Sequence, residues 1–123
     1  MKEENPSFSE FGKPFQEKLA FTILEDSQFA NQIGEVIDYN FFELKYLRVF
    51  VKNIYNYKEK YGKYPSKSTF ETILRTDLSK EPDHLAKQVR SYYAQFVTSG
   101  NTVDTDYVKN NAIEFCKKQK LKE

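Results

Sequence analysis

The sequence predicts an all-α fold: a compact head of about four helices followed by an antiparallel helical hairpin. Three observations predict it. Apolar residues recur at i, i+3, i+4 and i+7 in almost every segment from Phe15 to Cys116. Alternation of period two, the mark of a half-buried strand, never holds for more than a few residues. Proline, glycine, serine and aspartate stand at the junctions between periodic segments, where helix caps and stops belong.

Residues 1–13 are polar, are broken by Pro6 and Gly12, and read as a flexible lead-in into which Phe8 and Phe11 can tuck back. Pro14 suits the first position of a helix, where its missing N–H costs nothing. Over Phe15–Asp26, Phe15, Leu19, Ala20, Ile23 and Leu24 share a face, while Glu17, Lys18 and Glu25 face water. Ser27 can cap a short helix carrying Phe29, Ala30, Ile33 and Val36, its interior weakened by Gly34. The longest unbroken period runs from Asn40 to Pro65. It predicts a central helix of about six turns, capped by Asp38 or Asn40, closed by Gly62 and stopped by Pro65. Leu44, Leu47, Phe50, Val51, Ile54, Tyr57 and Tyr61 form its apolar face; Lys45, Arg48, Lys52, Asn56 and Glu59 lie opposite.

Ser66 or Ser68 begins the next helix, Ser68 with Glu71 making a capping-box pattern, and Phe70, Ile73, Leu74 and Leu78 are its apolar residues. The head thus spans 14–82, and 83–123 is the hairpin of the same domain. The first hairpin helix stops at Gly100. It carries two apolar strips, Leu85, Val89, Tyr92 and Phe96 on one and Ala86, Tyr93 and Val97 on the other, an arc wider than a single neighbour requires. A turn over 102–105 leads to the last helix, with Val108, Ala112, Phe115 and Cys116 on one stripe and Tyr107, Ile113 and Leu121 off it. The closing KKQKLKE has no stop signal, so the helix is expected to lead onward into a longer chain.

Composition narrows the function classes. At 123 residues one core is possible and two are not. Nineteen Lys+Arg against 18 Asp+Glu leave a net charge of +1, too small a global field to draw the whole domain to nucleic acid. One cysteine excludes an internal disulfide and fits a reducing compartment. No apolar run approaches the roughly 20 residues that span a bilayer, and MKEENPSFSE is too polar for a signal peptide. The expected setting is cytoplasmic, with no membrane partner.

The four glycines are isolated, so there is no phosphate-cradling loop. One His and one Cys, His84 and Cys116, cannot build a metal site or a nucleophile–base–acid trio. Acid pairs such as Glu25–Asp26 and Asp104–Asp106 sit at helix ends, where capping explains them. No catalytic, cofactor-binding or metal-ligating residue is expected. Lys45, Arg48 and Lys52, spaced to meet successive phosphates, are the best nucleic-acid candidates, although a solvated helix face explains them more simply. Lys117, Lys118, Lys120 and Lys122 form a second basic cluster at a helix end. Tyr92, Tyr93 and Tyr107, on the hairpin with its broad arc, are candidates for an interface as much as for a core.

Four segments together resemble the N-terminal domain of DnaB-type replicative DNA helicases, in a phage-like version. They are FQEKLAFTILED (Phe15–Asp26), FANQIGEVIDYNFFELKYLRVF (Phe29–Phe50), EKYGKYPSKSTFETIL (Glu59–Leu74) with its Gly-x-x-Pro turn, and FCKKQKLKE (Phe115–Glu123). Where many cellular members carry a His-Arg pair, Tyr46–Leu47–Arg48 stands here. The resemblance implies a non-catalytic assembly and partner-docking domain of an ATP-driven hexameric helicase. ATP, magnesium and most of the DNA contact would belong to a motor domain beyond a linker, in a bacterial host cell if the protein is phage-encoded. It implies pairing of hairpins between subunits into a collar, through Tyr92, Tyr93, Phe96, Val97, Ile113 and Leu121. It also implies docking of a primase and a helicase loader, with Tyr107 at a position that influences the primase response. The rival class is a single-stranded DNA-binding or helicase-loader module using Lys45, Arg48 and Lys52.

Overall fold

A computed structural model describes residues 6–98 and 103–121, and all its regular structure is helical. Six α-helices follow one another among these residues: α1 (Lys13–Glu25), α2 (Ser27–Gly34), α3 (Lys45–Tyr61), α4 (Lys67–Thr76), α5 (Asp83–Thr98) and α6 (Thr105–Leu121). Single 3₁₀ turns occupy Phe8–Phe11, Tyr39–Phe41 and Leu78–Lys80.

Local chemistry accounts for the boundaries. Pro14 stands in the first turn of α1, as expected. The helix closes at Asp26, which also caps α2 by accepting a hydrogen bond from the Phe29 amide; the cap is therefore Asp26 and not Ser27. Ser66, not Ser68, caps α4, its Oγ accepting from Thr69 N–H. Gly62 adopts φ +77° and ends α3, a conformation that a side chain would strain.

The central helix is shorter than expected. Asp38 caps the 3₁₀ turn Tyr39–Phe41 through the Asn40 amide, and the chain runs extended at Phe42 before α3 begins at Lys45. The break is pinned by Gln16, fully buried in α1. Its Oε1 accepts from the Glu43 amide at 2.8 Å and its Nε2 donates to Gly12 O and Glu43 Oε1, both at 3.4 Å. Arg48 Nε donates to Phe42 O at 2.7 Å, which satisfies the carbonyl that the interrupted helix leaves open.

α1 is the centre of the molecule, packed against α2, α3 and α6, and buries Phe15, Leu19, Ala20, Phe21, Ile23 and Leu24. The two helices expected to form a hairpin divide their contacts. Among the described residues α5 packs chiefly on α3 and α4, whereas α6 packs on α1 and α2. They clasp the head rather than zip along each other, because each has an apolar stripe that the head can bury. Gly100, expected to stop the first of them, lies outside the described residues, as does Lys122.

The lead-in is corrected as well. From Ser7 the chain is part of the packed body, and Phe8 is fully buried against the rings of Phe15, Phe41, Phe42 and Phe115. A lone Phe in a polar stretch gives no periodic signal, so its burial is decided by the pocket those four rings make.

Candidate docking surfaces

The residues expected at an interface fall into two groups. Tyr92, Tyr93 and Phe96 lie in the core, at 4%, 7% and 9% exposure, around Phe21 of α1. Apart from Val97 at its end, the wide arc of α5 is consumed inside the molecule, where α1, α3 and α4 cover the rest of both strips. Each phenol finds a partner as it is buried: Tyr92 Oη donates to Glu17 O, and Tyr93 Oη to Glu71 Oε1 at 3.1 Å. Burial first, then the Glu71 carboxylate, pushes the Tyr93 phenol up to about 12. These three residues are not available to a second subunit.

Val97, Tyr107 and Leu121 are exposed, at 48%, 54% and 86%, and Ile113 is half-buried against the core. Tyr107 has its ring edge-on to Phe15 at 6.2 Å, leaving the rest of it to solvent. The off-stripe residues of the last helix are thus the ones at the surface, as their phase on the helix requires, while Val108, Ala112, Phe115 and Cys116 are all buried. Burial, with a smaller contribution from Asp38, pushes the Cys116 thiol up to about 12, which keeps it an unreactive apolar group.

The basic stripe is less free than its spacing suggests. Lys45 and Lys52 are exposed, but Arg48 between them is half-buried and spends its Nε on Phe42 O. Glu17, expected to face water, is a hub instead: its carboxylate accepts from Tyr46 Oη at 2.9 Å while its carbonyl takes the Tyr92 hydroxyl. Burial, and then that carboxylate, holds the Tyr46 phenol well above its usual range. On the central helix the apolar face is buried through Ile54, but Tyr57 is half-buried and Tyr61 57% exposed, their rings tilted against each other at 4.5 Å.

No group of His, Cys, Asp and Glu able to hold a metal ion occurs among the described residues. No described helix is long and apolar enough to cross a membrane. No protein-family model, curated protein or solved structure matches the chain.

Sequence reasoning missed one surface altogether. A groove is walled by the 3₁₀ turn at Phe8–Phe11, the α2–α3 connection, α3 and α6, and it is lined by Glu10, Glu35, Asp38 and Glu59. The signal was present as EVID (35–38), two apolar residues between two acids, but helical periodicity assigned Val36 to a buried face.

Proposed function

We propose that the chain is a non-catalytic assembly and partner-docking domain of a DnaB-type hexameric replicative helicase, acting in the cytoplasm. The observation that most supports this reading is that the first resembling segment and the Gly-x-x-Pro turn of the third coincide with units of the fold. Phe15–Asp26 is α1 up to the cap of α2, and the Gly-x-x-Pro turn is the left-handed Gly62, the buried Pro65 and the Ser66 cap of α4.

Self-association would use Val97, Tyr107, Ile113 and Leu121, the apolar residues of α5 and α6 left at or near the surface; primase and loader docking would share that side chain set through Tyr107. Sedimentation velocity over a wide concentration range tests the proposal. The protein should associate as concentration rises, and Val97→Glu with Leu121→Glu should return it to monomer with an unchanged circular dichroism spectrum. A monomer at every concentration would overturn the assembly reading. The single-strand reading has lost the centre of its stripe to Phe42 O. Salt-sensitive binding of a labelled single strand, abolished by Lys45→Glu and Lys52→Glu, would reinstate it against the proposal.

A further inference from the structure

We infer that the groove between the α2–α3 connection, α3 and α6 docks a basic amphipathic helix of a partner protein. Its volume is about 1310 Å³. Its size and open mouth suit a chain segment better than a small molecule. The wall is made of helices, 3₁₀ turns and the connection 35–38, in which the Val36 and Ile37 amides are taken by Ile33 O and Asp38 O accepts from the Phe41 amide. There is no strand edge among the described residues to receive an extended peptide. The segment must therefore bring its own satisfied backbone, which an amphipathic helix does.

Charge fixes the sign of the partner. Four carboxylates line the groove, Glu10, Glu35, Asp38 and Glu59, against two lysines, Lys58 and Lys120. Lys58 is committed elsewhere, donating to Gly62 O at 3.3 Å with its ammonium 5.5 Å from the centre of the Tyr64 ring. None of the four carboxylates is in an ion pair among the described residues. A chain of net charge +1 thus carries, on this one wall, a surplus of negative charge. The apolar part of the contact is supplied by the remaining exposed surface of Val36, Ile37 and Tyr39, all partly buried against the core, over the buried rings of Phe41 and Phe115. Tyr39 lies stacked against Tyr55 at 6.3 Å, and its phenol is pushed up by burial and then by Glu59 and Asp38, so an aromatic face stands beside two carboxylates. That pairing suits a lysine or arginine side chain laid over the ring. The surface is separate from the residues assigned to self-association, so the two readings fail separately.

The probe is a labelled 18-residue model helix with a leucine face flanked by lysines, compared with the same helix carrying glutamates, titrated into the full chain by fluorescence anisotropy and by amide NMR. The expected result is binding of the lysine helix only, with shifted amides concentrated at 34–39, 58–59 and 119–120. The double variant Glu35→Lys/Glu59→Lys should weaken it about tenfold and Lys120→Glu should tighten it. All three side chains are exposed, Glu35 closes α2 through its backbone alone, and the circular dichroism spectrum checks that both variants remain folded. Equal binding of the glutamate helix, indifference to both variants, or shifts located elsewhere would overturn the inference. So would a groove that responds only to the chain's own concentration, which would make the occupant a second copy.

Discussion

Asp26 shows how much one side chain can join. Its Oδ1 accepts from the Phe29 amide and caps α2, while its Oδ2 holds the ammonium of Lys109 on α6, which also lies 5.7 Å from the centre of the Phe29 ring. The Lys109 hydrogen bond first, then the Phe29 amide, holds the Asp26 carboxyl below its ordinary value of 3.8. A carboxyl with a depressed folded pKa contributes stability above its unfolded pKa and loses it as the pH falls through the folded value. Asp26→Asn keeps a capping oxygen and removes the charge. The stability advantage of the parent protein over this variant, measured by urea unfolding, should therefore shrink steadily between about pH 5 and pH 2. An advantage independent of pH would mean that the ion pair contributes nothing. Nothing in the local sequence around Asp26 points to Lys109, because the two are far apart in the chain.

At the scale of the element, Gly34 carries the clearest lesson. Read from the sequence it only weakens a short helix. In the structure it ends α2 where Tyr55 of α3 crosses: a Cβ there would stand 2.9 Å from Tyr55 Cε1, and Tyr55 is held in place by its hydroxyl, which donates to Ala30 O at 2.8 Å. The usual gain of up to about 1 kcal/mol from Gly→Ala in a helix is therefore opposed by overpacking of about 1–3 kcal/mol. Gly34→Ala should lower the urea midpoint, and a raised midpoint would show that α2 and α3 can part freely. The broken start of the central helix belongs to this scale too. The period runs without interruption through Asn40–Phe42, and the buried Gln16, two elements away, together with Arg48 on Phe42 O, explains why the chain is held extended between the 3₁₀ turn and Lys45.

For the whole molecule, the question is whether the first dozen residues belong to the fold. Phe8 has no exposed surface and touches rings from the α1, α2–α3 and α6 regions, so it closes one end of the core. Phe8→Ala should cost about 3–5 kcal/mol of global stability, visible as a large drop in thermal midpoint. A flexible lead-in would predict no change. The same end of the molecule borders the acidic groove, so the segment both completes the core and builds a wall of the proposed docking surface.

The helical class, the order of six helices, the left-handed turn at Gly62 and the buried stripe of α6 were legible in the chain alone. Each depends on residues within a turn or two of one another, where periodicity and cap chemistry act directly. What only the tertiary structure decided was the use made of the surplus apolar surface. The broad arc of α5 could face a second subunit or its own head, and local pattern is the same in both cases. The hydroxyl of Tyr92 on Glu17 O and the rings around Phe21 turn it inward. The acidic groove likewise exists only because three separate parts of the chain bring their carboxylates to one wall against α6, a placement that no spacing along the sequence encodes.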